Sequence, residues 1–396
     1  MGVFGAWRGQ HYAKLFVKQP EIELLAVCDK RRKKLDEIKS FSDCALFEDF
    51  DSFLEYGKAN GMTAVFLANY FYQHAPYAIK CMEAGMDVIS ECTAAGTLRE
   101  CVELCEAVER TGRKYMLAEN YQYAPSNLKM NQIVKSGALG TCMYAEGEYN
   151  HSGSRKECLD LAPTGQYHWR LWMPRTYYCT HALGPIMFAT DSEPLYVSAR
   201  TAKSDLCFNT MGDCRQNYDG TAILFCEMSN GMIARFTGCT AMASDYTRYR
   251  IVGDVASVEV GENIGSERAR LFWLSHTKPE DEENKIKIVP APLSEYGEDG
   301  EKAKDAGHAG GDYWVTRHIV DYLLNDADPF FDVYRSVAMS AAAILGWRSC
   351  LNHGENFRIP NFRDPADRES VRNDELTPFP DENGNGVTLP ISLPRE

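Results

Sequence analysis

Over the first 120 residues, short apolar runs alternate with stretches in which apolar positions recur every three or four residues. Gly2-Val-Phe4 runs into a glycine-bearing turn, Gly5-Ala-Trp-Arg-Gly9, and then into Tyr12-Ala-Lys-Leu-Phe16. That pattern predicts strand, tight turn and helix. Further strands are predicted at 22–29, 64–68, 87–91 and 115–119. Helices are predicted at 74–84, stopped by Gly85, and at 98–109, with Val102, Cys105 and Val108 on one face. Strands alternating with helices imply a parallel sheet covered on both faces. Ligands on such sheets bind beyond the carboxyl ends of the strands. Those ends are 5–9, Asp29, 69–74, 91–93 and 119–123.

The pattern then changes. A helix is predicted at 127–137. Residues 142–151 alternate with period two, and β segments follow at 195–202, 222–228, 234–240, 250–252 and 257–260. Asn230-Gly231 between two of them is a hairpin signal. The fold class expected is α/β: an N-terminal Rossmann dinucleotide-binding domain (1–121) and a C-terminal α/β domain with a large, mostly antiparallel, open-faced sheet (122–362). Its strands exceed what one domain core needs, so one face is expected to pack on another subunit. Residues 276–312 are acidic, glycine-rich and irregular, a surface loop ending at a site. Helices are expected at 312–324 and 333–350, and 363–396 reads as an extended polar tail.

Composition narrows the function. The 396 residues suffice for two domains with a large core. The net charge of −14, from 42 Lys+Arg against 56 Asp+Glu, argues against nucleic acid and anionic membrane surfaces as partners. Apolar runs are of strand length, so no bilayer span is expected, and no signal-peptide pattern opens the chain. The 14 cysteines are scattered with no C-x-x-C, which predicts reduced thiols, a cytoplasmic location and no metal site.

Chemistry concentrates in two places. Gly5 and Gly9 flank a turn into a helix whose N-terminus can meet a pyrophosphate. The usual spacing is G-x-G-x-x-G; here the loop is one residue short and Ala6 or Trp7 stands at the second glycine. Asp29, at the end of the second strand, is placed for the ribose diol, which favours NAD over NADP, while Lys30, Arg31 and Arg32 weaken that preference. The expected cofactor set is Gly5, Ala6, Trp7, Arg8, Gly9, Asp29, Asn69, His74, Glu91 and Asn120. Outside this unit lie His151, His181 and His308, each near a Tyr or an Asp. Imidazole titrates nearest neutrality, as general acid–base work requires. Aromatic residues are dense from Tyr167 to His181, and aromatic faces suit the C–H surfaces of sugars.

Together these stretches resemble the glucose–fructose oxidoreductase / inositol dehydrogenase (Gfo/Idh/MocA) family, from the glycine turn through "AVFLANYFYQHAPYAIKCMEAGMDVISE" to "VYRSVAMSAAAILGWRSC". The resemblance implies a Rossmann domain, a sheet-based second domain, NAD or NADP as cofactor, and oligomerisation through the sheet. Family dehydrogenases carry E-K-P after the fourth strand, with a lysine that assists removal of the hydroxyl proton. Here the positions are Glu91-Cys92-Thr93, and a thiol does not replace a cationic amine. The NAD-dependent glycoside hydrolases of family 109 also lack that lysine. Four stretches are similar to them: "ENYQYAPS" at Glu119, "EGEYNH" at Glu146, "YHWRLWMPRTYYCTHALGP" at Tyr167 and "GHAGGDYWV" at Gly307. Carried over, they imply Tyr149, His151, Tyr178 and His181 as catalytic residues and Tyr123, Trp169, Arg170, His308 and Asp312 at the sugar.

The implied reaction is redox-neutral. Hydride leaves sugar carbon 3, a base (Tyr178 or Tyr149) takes the carbon-2 proton, the aglycone leaves carbon 1, water adds and the hydride returns. His181 is the candidate for deprotonating the carbon-3 hydroxyl. The alternative is a net sugar or polyol dehydrogenase with His181 as base. A carbohydrate or glycoside is the expected small-molecule partner, and a homodimer or homotetramer the expected assembly.

Overall fold

A computed structural model describes residues 1–151, 173–204, 219–239, 246–381 and 385–393. They form two compact units.

The first unit comprises Met1–Glu119, Gly311–Ser340 and Asn361–Glu375. Its six strands are β1 (Gly2–Phe4), β2 (Ala26–Cys28), β3 (Ala45–Phe47), β4 (Ala64–Leu67), β5 (Asp87–Ser90) and β6 (Tyr115–Leu117). They pair in parallel, in the order β3-β2-β1-β4-β5-β6. The order reverses at β1, the topological switch point where such sheets bind ligands. Both faces of β1, β2 and β4 are buried, as covering helices require. Those helices are α1 (Ala6–Phe16), α2 (Arg32–Ile38), α3 (Phe50–Ala59), α4 (His74–Glu83) and α5 (Leu98–Thr111). α5 begins at a reciprocal cap between Thr97 and Glu100 and stops at Gly112, which adopts φ 63°.

The second unit comprises Asn120–Gly310, Ala341–Pro360 and Leu376–Glu396. It holds α6 (Pro125–Lys135) and α7 (Thr180–Thr190) against a nine-stranded sheet. The strands are β7 (Cys142–Asn150), β8 (Pro194–Lys203), β9 (Asp219–Met228), β10 (Ile233–Cys239), β11 (Tyr246–Gly253), β12 (Ala256–Gly261), β13 (Arg268–Trp273), β14 (Ile286–Pro290) and β15 (Phe357–Arg358), in the order β14-β13-β12-β11-β7-β10-β9-β8-β15. All pairs are antiparallel except β7–β10. Asn230-Gly231 joins β9 to β10, as its hairpin signal requires. On β7, Ala145, Gly147 and Tyr149 turn to the buried face.

Three expectations change. Residues 276–312 are not one irregular loop: β14 and the helix α8 (Gly297–Lys304) lie within them. β14 is an edge strand that aligns Ile286 with Phe272 of β13, a two-residue apolar signal hidden among charges. The second domain is not contiguous, because 311–340 and 361–375 pack with the first unit. These segments carry α9 (Gly311–Asn325), the start of α10 (Val333–Leu351) and α11 (Pro365–Glu369). The Leu117 N–H of edge strand β6 donates to Phe331 at 3.1 Å. The tail from 363 is anchored. Arg368 is buried on Glu109 at 2.6 and 2.8 Å, Phe379 packs on Tyr177, and Trp347 Nε1 donates to the Pro390 carbonyl. No helix among the described residues is long and apolar enough to cross a membrane.

Candidate active site

The first unit carries the glycine turn. Gly5 has φ 96°, and a Cβ there would stand 2.3 Å from the Ala68 carbonyl oxygen. Only glycine lets the β1 turn pass the β4 turn this closely. A Cβ at Gly9 would stand 2.5 Å from Val3 Cγ1, so Gly9 lets α1 lie on β1. These are the turn and packing roles of the first and last glycines of a dinucleotide fingerprint. Trp7 occupies the middle position, with the Arg31 guanidinium 5.5 Å and Lys34 Nζ 4.4 Å from its ring centre. The first-turn amides of α1, those of Trp7 and Arg8, lie too early in the helix for an intrahelical partner. The Ala6 amide donates to Asp29 Oδ2 at 2.7 Å.

Asp29 is buried, and its Oδ1 accepts from the Arg31 amide at 2.8 Å and Arg31 Nε at 3.2 Å. Asn69, at the end of β4, has a buried Oδ1 with no hydrogen-bond partner among the described residues. His74 is buried with Nδ1 2.7 Å from the Thr93 carbonyl; burial lowers its pKa and keeps the ring neutral. Cys92 Sγ lies 3.1 Å from Glu119 Oε2.

Arg8, Glu91 and Asp312 form a partly buried charge network, with Asp312 at its buried end, that motif reading does not show. Arg8 Nε donates to Glu91 at 2.8 Å, and its two terminal nitrogens grip Asp312 at 2.7 and 2.9 Å. The Tyr12 hydroxyl donates to Asp312 at 3.3 Å. Burial works against the Arg8 cation, but the facing Glu91 and Asp312 carboxylates outweigh it and raise its pKa. Asp312, expected at the sugar, lies in the first unit, 1% exposed and bound to Arg8. A buried carboxylate needs a cation, and α9 supplies this one to α1. Glu91 likewise orients Arg8.

The second unit brings together Tyr149, His151, Tyr178, His181 and His308. β7 presents Tyr149 and ends just before His151. A short turn, Arg175–Tyr178, presents Tyr178; His181 stands in the first turn of α7. The sequence makes room for that helix with two strand glycines. A Cβ at Gly147 would stand 2.2 Å from the Ala182 carbonyl oxygen, and one at Gly238 would stand 2.8 Å from Cys179 Sγ. The Tyr249 hydroxyl donates to the His181 carbonyl at 2.7 Å and fixes the helix start.

The Tyr149 hydroxyl donates to the Tyr178 hydroxyl at 3.4 Å, and both rings are buried. His181 packs edge-on to Tyr149 at 4.8 Å, and His151 lies 6.3 Å from Tyr178 in a stacked arrangement. Tyr121 completes the group and was missed by sequence reasoning. It stacks on His181 at 4.5 Å and 28°, packs edge-on to Tyr149 at 5.1 Å, and lies 5.8 Å from His308. Its signal was its place at the carboxyl end of β6. Tyr123 packs on Phe188 of α7. Asn120 is buried at the start of this unit, beside Tyr121. Trp169 and Arg170 lie outside the described residues. Two coupled phenols beside half-buried imidazoles can take up, hold and pass protons at a bound molecule.

Comparison with known proteins assigns two stretches of the chain. Residues 1–119 match the oxidoreductase family with an NAD-binding Rossmann fold, Gfo/Idh/MocA, and residues 289–366 match the C-terminal domain of glycosyl hydrolase 109. The chain is thus similar to the Gfo/Idh/MocA oxidoreductases over its first 119 residues and to the glycosyl hydrolase 109 proteins over residues 289–366. It is an NAD-dependent enzyme. A glycosyl hydrolase family 109 protein of Shewanella sp. strain ANA-3 is 24% identical, over 90% of this chain and 83% of its own. An alpha-N-acetylgalactosaminidase of Shewanella oneidensis is similar to the same extent. Among solved structures, the WlbA dehydrogenase of Bordetella pertussis, in complex with NADH and UDP-GlcNAcA, superposes with TM-score 0.70. It shares 16% identity over 91% of this chain and 97% of its own. An Agrobacterium radiobacter oxidoreductase with NAD⁺, L-tartaric acid and magnesium also reaches TM-score 0.70, at 14% identity over 90% and 97% of the two chains.

The residues present fit this cofactor. The glycine-only approach at Gly5, the first-turn amides of α1 and the unsatisfied Asn69 oxygen all sit at carboxyl strand ends of the first unit, where a dinucleotide's phosphates and hydroxyls find donors and acceptors.

Proposed function

We propose that this Gfo/Idh/MocA protein is a redox-neutral glycosidase acting on N-acetylhexosaminides of the alpha-N-acetylgalactosaminide class. The observation that carries the reading is the Tyr149–Tyr178 hydroxyl pair flanked by His181 and His151. The substrate class is suggested by the Shewanella oneidensis relative. NAD, held by Gly5, Ala6, Trp7, Arg8, Gly9, Asp29, Asn69, His74 and Asn120, supplies a reversible two-electron acceptor for the sugar.

The chain's own residues do the rest. His181 takes the proton of the carbon-3 hydroxyl, the task for which other members use a lysine and for which Cys92 is unsuited. With carbon 3 at the ketone level the carbon-2 hydrogen becomes acidic, and Tyr178 or Tyr149 removes it. The hydrogen bond between the two hydroxyls lets one phenol stabilise the oxyanion of the other. His151 stands beside Tyr178 to move the proton to and from solvent. Tyr121 and His308 face the sugar, and Trp169 and Arg170 complete the set by resemblance. A homodimer or homotetramer formed through the open sheet face belongs to the proposal, supported by exposed Phe225, Ile233, Ile286 and Ile288 on that face. A cytoplasmic location rests on the thiol-rich sequence.

The test is turnover of an aryl alpha-N-acetylgalactosaminide in heavy water without added cofactor. Product should accumulate with no net NADH absorbance and carry deuterium at carbon 2. His181→Ala should lower turnover by roughly 10²–10⁴-fold. Stoichiometric NADH with a keto-sugar product would instead establish the dehydrogenase; cleavage without label would remove the carbon-2 step.

A further inference from the structure

Asp29 does not stand ready for a ribose diol. Four donors already meet its carboxylate. Oδ2 accepts from the Ala6 amide at 2.7 Å and from Arg31 Nη2 at 3.4 Å; Oδ1 accepts from the Arg31 amide at 2.8 Å and Arg31 Nε at 3.2 Å. A carboxylate offers about four lone-pair sites. Its charge is therefore matched by a guanidinium two residues away, and its acceptor capacity is filled from within the chain.

The acid of a dinucleotide fold selects NAD in two ways: it accepts from the ribose hydroxyls, and it repels a 2′-phosphate. Arg31 blunts both. The Arg31 side chain is 44% exposed against 7% for Asp29, so the guanidinium swings to solvent more freely than the carboxylate. A guanidinium is suited to grip a phosphate with two parallel hydrogen bonds. Its cation is not alone: Arg31 and Lys34 both lie against the Trp7 ring, at 5.5 and 4.4 Å. Of the nearby cations, Lys34 is held by Glu37 at 2.8 Å and Arg32 pairs more loosely with Asp36 and Glu48 at 3.4 Å, whereas the Arg31 guanidinium lies on the Asp29 carboxylate itself.

We infer that the cofactor site of the first unit accepts the 2′-phosphorylated dinucleotide as well as NAD, and that Arg31 is the residue that decides it. The inference rests on the dinucleotide reading of this unit. Arg31 exchanges its bond to Asp29 for the 2′-phosphate, and its departure leaves Asp29 to the ribose 3′-hydroxyl. With NAD, the same departure leaves Asp29 to both ribose hydroxyls.

The test is binding, not turnover. The full-length protein is stripped of endogenous nucleotide and titrated with NADH and with NADPH, following energy transfer from protein tryptophan to the reduced nicotinamide. NADPH should bind within about tenfold of NADH. Arg31→Ala should weaken NADPH by tenfold or more and leave NADH unchanged or tighter, because it frees Asp29. Arg31→Lys, which keeps the charge without the planar fork, should fall between the two. Wild-type NADPH binding more than a hundredfold weaker than NADH would overturn the inference, as would an equal loss of both ligands in Arg31→Ala. Failure of both dinucleotides to bind the wild type would strike the cofactor reading itself, and circular dichroism of the variant separates misfolding from lost affinity.

Discussion

Arg8→Ala is the sharpest probe of the first unit. The Arg8 side chain is 24% exposed and the Asp312 side chain it grips is 1% exposed. Removing the guanidinium deletes three hydrogen bonds, one to Glu91 and two to Asp312, and leaves both carboxylates facing each other with the cation gone. Breaking one side of a buried ion pair costs about 3–5 kcal/mol, mostly for the stranded charge. The Tyr12 hydroxyl still donates to Asp312, and offsets part of that as a hydrogen bond to a charged group. The network lies within one of the two units, so a local assay reads it most directly. Hydrogen exchange of peptides covering α1 and α9 meets that need. Their protection should fall by about 10²–10⁴-fold at pH 8, the same 3–5 kcal/mol at 1.36 kcal/mol per decade. The deficit should shrink as pH falls toward 4, since a protonated carboxyl strands no charge. Arg8→Met paired with Asp312→Leu removes both charges and should recover most of the protection. Loss of less than tenfold at pH 8, or a deficit that does not depend on pH, would refute the account of a charge network locking α9 onto α1.

Two further outcomes follow from the same structure. Gly147→Ala places a Cβ 2.2 Å from the Ala182 carbonyl oxygen, so the start of α7 must move; stability should drop by about 1–3 kcal/mol in thermal melts, and turnover should fall with it because His181 moves. Glu100 is half-buried in the cap of α5, its pKa pushed up to about 7 by desolvation against the opposing pull of the Gly96 and Thr97 amides. The folded unit thus holds a proton that the unfolded chain, at 4.5, has lost, so this group's stability is fully present below about pH 4.5 and lost as pH rises through 7. Glu100→Gln should flatten that slope in urea midpoints across pH 4.5–8; an unchanged slope would show that Glu100 is not its source.

Much of this enzyme was legible in one dimension. Periods of two and of three to four residues, with the stop at Gly85, gave alternating strand and helix and with them the Rossmann class; the strand order came only with the fold. Asn230-Gly231 fixed the hairpin in the second sheet. Tyr149, His151, Tyr178 and His181 were named by the resemblance of their motifs to family 109, and the fold brings their rings together.

What the sequence could not settle was every feature set by a partner distant along the chain. Asp312 reads like a site residue in its glycine-rich motif, yet a cation 304 positions away claims it. Tyr121 is an unremarked aromatic until α7 brings His181 onto its ring. Asp29 carries the signature of a ribose ligand, while the Ala6 amide that occupies its Oδ2 reaches it only once β2 and α1 lie together. Burial is the physical reason. A charge or ring taken out of water must find its complement in whatever the fold places there, and local periodicity determines which elements form but not which of them will meet.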